Sequence, residues 1–503
     1  MSASDSLTAV RRVAATAGGG AYIGAGTDGP LWAGREQAVL VLGPPRSGKT
    51  SCIVVPSILA ATGAVVSTST KPDVLTVTSR ARNRIGPCYL YDPSGTVDAP
   101  PGVERIRWSP VPESRHWDDA LLVARGLVGA TRADPSRGGL GPHAGDHWTE
   151  RAESLLGPLL HAAALDREPF ETVLSWVDRR NVSPALGVLD HRGATIAADL
   201  LAGIAVTDAR EQSGIWSTAS GVLAGFRSEA ALASTRSPTF DPAAFCETSA
   251  TLYICATGRH QALVAPLVVG LLAGVRSAAY ARAALGTADP VRRVAPVLLA
   301  LDEVANIAPL PDLPAMVSEG GGQGVLTLAC LQDLSQARGR WGTAADGFLS
   351  LFGTTVVLPG IGDVRTLESL SALAGEAEVG SRSVSMPVLP RGGLARAALE
   401  RALGSGRRFA GSATPTVTTA PVLRRRLPVD LAGHGERGMA LVLGEHNRMG
   451  WARLTPWFGH EPWRSAVLGR DLGLENRPGR SEPGAGREVG GGHEPGLDLG
   501  IGP

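Results

Sequence analysis

The sequence predicts an α/β protein, a doubly wound sheet interrupted by an all-helical insertion. Three observations carry that expectation. Seven short runs are almost continuously apolar and bounded by turn residues: AVLVLG (38–43), AVVSTS (64–69), CYLYD (88–92), TLYICA (251–256), VLLALDE (297–303), VLTLACL (325–331) and TTVVLPG (354–360). Parallel strands covered by helices on both faces read this way, whereas half-solvated strands alternate. Helical stretches lie between many of these runs, as βαβ units require. From about Trp117 to Thr235 the rhythm stops, and segments such as HWTERAESLLGPLLHAAAL (147–165) and SGIWSTASGVLAGF (213–226) place apolar residues at helical spacing instead.

The 503 residues exceed what one compact core holds, so more than one domain is expected. Residues 1–36 form an N-terminal segment with no long apolar core and no signal-peptide layout. Residues 37–116 and 237–468 are expected to be the two parts of the α/β domain, with 117–236 as the all-α insertion and 469–503 as a disordered Gly/Pro-rich tail. The uncharged run from Ser51 to Thr70 is long enough to span a membrane, but Pro56 and Gly63 interrupt it. A buried helix followed by a buried strand explains it better, and no transmembrane segment is expected. A last strand-like piece, MALVLG (439–444), precedes WARLTPWFGHEPW.

A formal net charge of +1 gives the whole chain no field for nucleic acid, so any such site must come from local patches. One patch is the 380–426 stretch, with nine arginines against the single acid Glu400. In isolation it reads as a solvated loop; beside a nucleotide-driven motor it reads as a phosphate-contacting segment. The five cysteines are scattered without a CxxC pair and sit mostly in apolar runs, as free thiols in a reducing compartment do.

Residues 43–50, GPPRSGKT, fit G-x-x-x-x-G-K-[ST], follow a strand and precede an apolar helical stretch, which is the context a P-loop requires. Gly43 and Gly48 permit torsions that turn amides towards a phosphate chain. Pro44, Pro45, Arg46, Ser47 and Ser51 complete the expected nucleotide-binding stretch, and the following helix adds the positive end of its dipole. Lys49 is one of two lysines in a chain with 46 arginines. A slender ammonium on a flexible stem can enter such a loop and bridge β- and γ-phosphate oxygens, where a broad planar guanidinium is a poor substitute. Thr50 would place its hydroxyl on Mg²⁺.

A P-loop needs an acidic motif on a neighbouring strand, and VLLALDE supplies it. Asp302 would hold Mg²⁺ through water and Glu303 would polarise the attacking water. The wide separation of the two motifs itself requires a large insertion. The next strand ends in CLQDLSQ, where Gln332 could sense the γ-phosphate. ATP and Mg²⁺ are therefore the expected ligands. Lys71, in STSTKPDV just after the second strand, could contact nucleotide or DNA, or cap a turn. His143 and His147 have i,i+4 spacing, but Gly145 weakens a helix there and no ligand cluster accompanies them, so no metal site is expected.

Taken together, GPPRSGKTS, STSTKPDV, the YDPSG and WSP pair (91–95 and 108–110), LALDEVANI and TLACLQDLSQARGRWG resemble the type IV secretion coupling proteins, the TraG/TraD class of conjugative DNA-transfer ATPases, over Gln37 to Trp463. The resemblance implies a RecA-like motor with a projecting all-α domain and a homo-hexameric ring with ATP between subunits. It implies, as partners, a relaxase-bound DNA strand, expected to be single-stranded, or protein substrates, and the secretion channel that receives them. The region beginning at Ala295 resembles the part of the family that recognises an accessory relaxosome protein. Relatives usually begin with transmembrane helices. This chain is instead expected to work in the cytoplasm, docked through a separate membrane partner at the inner face of the membrane, or as a soluble variant.

Where relatives can place a trans-acting arginine, this sequence reads SEGGGQG (318–324), with Gly321 at the expected position and Arg338, Arg340 or Arg365 as substitutes. The leading function is an ATP-dependent coupling protein and DNA translocase. The alternatives are an ATP-gated docking receptor with little pumping, and an FtsK-like double-stranded DNA pump, which the helical insertion and the TLACLQDLSQ context disfavour.

Overall fold

The computed structural model describes residues 3–16, 19–131, 142–256, 258, 261–286, 295–385, 399, 402–403, 416–444 and 448–468. The expected tail, 469–503, and the middle of the Arg-rich stretch lie outside them. Among the described residues fourteen strands form two sheets. In chain order they are β1 (Tyr22–Gly26), β2 (Gly29–Trp32), β3 (Val39–Leu42), β4 (Val65–Ser69), β5 (Cys88–Tyr91), β6 (Val103–Arg105) and β7 (Thr251–Cys255). They continue as β8 (Val297–Leu301), β9 (Val325–Leu331), β10 (Thr354–Val357), β11 (Glu376–Ser385), β12 (Thr416–Arg425), β13 (Met439–Leu443) and β14 (Met449–Arg453).

Every apolar run read as a strand is one. The large sheet has the order β2-β1-β14-β13-β10-β3-β9-β8-β4-β7-β5-β6. From β10 to β6 all pairings are parallel, while β13, β14, β1 and β2 add antiparallel strands at one side. Both faces are covered. Val39, Val41, Leu298 and Ala300 pack with Ile53, Ile58 and Val74 on one face. Leu40, Leu42, Leu299 and Leu301 join the core that includes the long helix Gln261–Gly286 on the other.

Between Trp117 and Ala233 the described residues are helices and turns. Leu155, Leu159, Phe170, Leu201 and Phe226 of this region belong to the same continuous core as the sheet face they adjoin. The helix Trp117–Thr131 lies close to its partner helix Gln261–Gly286, with Gly126 beside Val269. The stretch Leu263–Gly286 is long and apolar enough to cross a membrane by length and composition alone, yet most of it is buried within the fold.

Sequence patterning missed β1, β2, β6, β11, β12 and β14. β6 has three residues, and β2 contains Pro30, whose missing N–H suits an edge position. β11 and β12 make a separate ribbon with ten paired positions, from Glu376 opposite Arg425 to Ser385 opposite Thr416, where composition had suggested a solvated loop.

The uncharged run after the P-loop splits as expected into a buried helix and the buried strand β4. Its first turn, Thr50–Val54, is π-helical and continues as α-helix over Val55–Ala60. Pro56 accounts for the widened turn. An α-helix would ask residue 56 to donate to the Cys52 carbonyl, which proline cannot do and which its ring would crowd. Three things then hold this helix. Ser57 Oγ accepts from the Tyr22 N–H (3.1 Å) and donates to the Tyr22 carbonyl (3.3 Å), tying the helix to β1. Leu7 and Val10 of the helix Ala3–Thr16, with Trp463 and Val467 of the helix Trp463–Leu468, pack on Val55 and Leu59. Tyr22 meets Trp463 and Trp32 edge-on, at 5.0 and 5.4 Å.

The third support is Arg82, a fully buried guanidinium. Its Nη1 donates to the carbonyls of Ile58 (3.4 Å) and Ala61 (2.8 Å), at the negative end of the helix. Its Nη2 donates to Gly63 (3.1 Å) and Ser249 (2.9 Å), and Nε donates to Thr251 Oγ1 (2.7 Å). Burial pulls its pKa down to about 10, so it stays charged at neutral pH. Removing the guanidinium strands several buried carbonyls. Arg82→Met is therefore expected to cost about 3 kcal/mol or more. A thermal-denaturation midpoint unchanged from wild type would show that Arg82 does not hold the helix end.

Candidate active site

Three adjacent parallel strands, β3, β9 and β8, end side by side. Leu42 pairs with Leu331 and Leu301 with Ala329, so Gly43, Gln332 and Asp302 emerge along one edge of the sheet. Ligands of open α/β sheets bind at this carboxyl edge. The Gly43 N–H donates to the Leu331 carbonyl (3.2 Å), which fixes where the loop leaves its strand. Arg46 (φ 63°) and Gly48 (φ 104°) are both left-handed and turn the chain into the helix. A Cβ on Gly43 would meet Ser47 Oγ at 2.7 Å and Leu358 Cβ at 2.9 Å, so this position has room for glycine alone.

The loop is built around its own donors. Lys49 is nearly buried, and its Nζ donates to the carbonyls of Gly43 and, at 3.0 Å, Pro44. Ser47 Oγ is buried with no hydrogen-bond partner. The first amides of the following helix have no partner within it. An ammonium, an orphaned hydroxyl and helix-start amides converging on one loop suit a phosphate chain. Thr50 Oγ1 donates to Asp302 Oδ2 at 2.7 Å, joining the loop to the acidic strand. Burial raises the Asp302 pKa. The Thr50 hydroxyl and the Lys49 charge work against that rise, and Glu303 and Asp73 add to it. Among the described residues no cation lies in ion-pair contact with Asp302. A buried carboxylate beside a hydroxyl, both hard oxygen donors, fits Mg²⁺.

Glu303 follows in a left-handed conformation (φ 55°, ψ 51°), and its Oε2 accepts from Asn306 Nδ2 at 3.2 Å. Gln332 is half-buried, and its backbone N–H donates to Gln336 Oε1 at 3.0 Å. Pro44, Pro45, Arg46, Ser47, Gly48 and Ser51 line one side of a cavity of about 940 Å³. The rest of its wall includes Gly360, His434, Arg437 and Pro456. Sequence reading missed that wall; its signal was the glycine-rich GHGERG (433–438) before β13.

Other candidates stand apart from this edge or carry little geometry. Lys71 is exposed just past β4, its N–H bonded to Ser69 Oγ (3.3 Å). The His147 ring lies edge-on to Trp148, and the His143 side chain is outside the described residues. Gly321 cannot carry a side chain, since a Cβ there would lie 1.9 Å from the Glu36 carbonyl oxygen. Of the three substitutes, Arg338 is mostly buried and pairs with Asp363 at 2.6 Å, and Arg340 donates to the Ala130 carbonyl. Arg365 is largely exposed, with a surface contact to Asp346 at 3.2 Å, an interaction of little strength. Gly321→Arg is accordingly expected to lower the thermal midpoint without raising nucleotide turnover. A folded variant with faster turnover would overturn that.

The fold and this geometry were compared with known proteins. No curated protein sequence matches the chain. Among solved structures, the bacterial conjugative coupling protein TrwBdeltaN70 in its unbound monoclinic form aligns with a TM-score of 0.63 and 17% identity, covering 90% of this chain and 92% of that one. The plasmid coupling protein TrwB in complex with ADP and Mg²⁺ gives 0.60 and 17%, covering 84% and 86%. TrwB with a non-hydrolysable ATP analogue gives 0.60 and 18% over the same shares. These likenesses show the fold, a RecA-like P-loop core with an all-α part. The family model described as type IV secretory system conjugative DNA transfer matches residues 4–391, and the chain belongs to that family.

Proposed function

We propose that this chain is an ATP-dependent coupling protein that moves a relaxase-bound DNA strand towards a type IV secretion channel. The observation that carries the reading is the Thr50–Asp302 hydrogen bond, which unites the P-loop and the acidic strand at one sheet edge with Gln332 on the strand between them. Lys49 would exchange the Gly43 and Pro44 carbonyls for phosphate oxygens, a gain in charge complementarity. Residues 43–51 would cradle the phosphates. Thr50 and Asp302 would hold Mg²⁺, which would neutralise charge on the phosphates. Glu303 would take the proton of the attacking water, and Gln332 would register the γ-phosphate. Single-stranded DNA with its relaxase, the channel components, a membrane anchor protein at the inner face of the membrane, and five further copies in a ring are the partners this reading assigns.

A second reading, an ATP-gated docking receptor, draws support from the arginines. Gly321 has no room for a side chain, and Arg338 and Arg340 are engaged within their own chain. A missing trans-acting arginine costs such enzymes several orders of magnitude in turnover.

Phosphate release from ATP, measured with and without single-stranded DNA, separates the two. The motor reading expects stimulation by DNA. It also expects Lys49→Ala to lose nucleotide binding, and Glu303→Gln to lose about 10²–10⁴-fold in kcat while still binding ATP. Tight ATP binding with negligible turnover under every condition would favour the receptor. Turnover unchanged in Lys49→Ala would overturn both.

A further inference from the structure

Four residues around the site form a chain of hydrogen bonds that the sequence motifs do not announce. The Gln332 backbone N–H donates to Gln336 Oε1 (3.0 Å), Gln336 Nε2 donates to Asn306 Oδ1 (3.5 Å), and Asn306 Nδ2 donates to Glu303 Oε2 (3.2 Å). Its direction is set at both ends. A backbone N–H can only donate, so Gln336 must turn its oxygen to Gln332 and its NH₂ to Asn306. A carboxylate accepts, so Asn306 must turn its NH₂ to Glu303 and its oxygen back to Gln336. Neither amide can flip without breaking two bonds, and each pair of contacts confirms the orientation of the next.

Local backbone arranges the two middle members. Glu303 is left-handed, a conformation that costs a non-glycine residue about 1–2 kcal/mol. It lies two residues past the end of β8 and starts the short helix Val304–Ile307, so that the Asn306 N–H bonds back to the Glu303 carbonyl at 2.9 Å and the Asn306 side chain reaches the Glu303 carboxylate. Gln336 sits in the first turn of the helix Leu334–Trp341, capped by Asp333, one turn after Gln332. All four residues are only partly buried, in a site where water would otherwise compete for each bond.

We propose that Asn306 and Gln336 are positioning residues that orient the Glu303 carboxylate and tie that orientation to the Gln332 turn. The inference rests on the assignment of Glu303 as the group that accepts the proton of the attacking water. Neither amide acts on nucleotide directly; each acts through Glu303. A change in the path of the chain at Gln332 moves the acceptor at Gln336 and, through Asn306, releases or re-aims the carboxylate.

The test uses the full chain, ATP, a non-hydrolysable ATP analogue and phosphate release with single-stranded DNA. Asn306→Ala and Gln336→Ala are each expected to lower kcat about 10–100-fold, with KM for ATP and affinity for the analogue within about twofold of wild type. Gln336→Glu keeps the acceptor for Gln332 but loses the donor to Asn306, and is expected to behave as Gln336→Ala does. The double variant Asn306→Ala/Gln336→Ala should be no slower than the slower single, and Asn306→Ala should add nothing in a Glu303→Gln background. In the nucleotide-free chain, the two alanine effects on the thermal midpoint should be less than additive. Unchanged kcat in the single variants, or a loss that persists in the Glu303→Gln background, overturns the positioning role and leaves the motor reading intact. Absence of turnover in the wild-type chain itself defeats the motor reading and the positioning role together.

Discussion

The hydrogen bond between Thr50 and Asp302 joins residues 252 positions apart in the chain and separated by one strand in space. Most of the architecture is needed to make it. β9 must lie between β3 and β8, all three must run parallel, and β8 must end within two residues of the level at which β3 and β9 end. Parallel neighbours cannot be joined by tight turns, so every link between them crosses over a face of the sheet. The whole helical region from Trp117 to Ala233 falls between β6 and β7, on the path from one partner of this bond to the other. That region shares its core with the sheet face it adjoins. A helical region could be inserted here without disturbing the site because both ends of the insertion return to the sheet at the side remote from β3.

The parts of the fold legible in the sequence are those where one physical requirement dominates. Strands buried on both faces must be apolar at every position, and VLVL, VLLAL and VLTLACL are. A phosphate loop must pair glycines with a lysine at fixed spacing, and an acidic pair must end a strand. The illegible parts are those where the constraint comes from elsewhere in the fold. β2 and β14 carry Gly, Pro or exposed residues, and they exist because neighbouring strands offer them a ladder. Gly321 looks like a lost arginine in sequence. In the structure it is a glycine required by the Glu36 backbone pressing on it. Asn306 and Gln336 read as ordinary helix-start amides, because nothing local marks the 30-residue contact between them.

The helix after the P-loop has an unusual amount of support. Its first turn, Thr50–Val54, is widened, Pro56 then lacks a donor, and the surrounding structure supplies the brace. Arg82 holds its C-terminal carbonyls, Ser57 ties its middle to β1, and both the first and the last described helices pack along its side. Elements from opposite ends of the sequence thus converge on one eleven-residue helix, Thr50–Ala60. The loop's geometry is inherited from them.

The margins of the large sheet have a different consequence. One margin is β2 with its proline, and the other is the three-residue β6. Neither offers a long run of free backbone donors and acceptors, so a second copy has little ladder to extend. A contact made at these margins would rest on side chains. Side-chain seams open and reseal with small energies, whereas continuous sheets tear or persist. Blunt margins of this kind leave the large sheet no long ladder through which one copy could fuse to another.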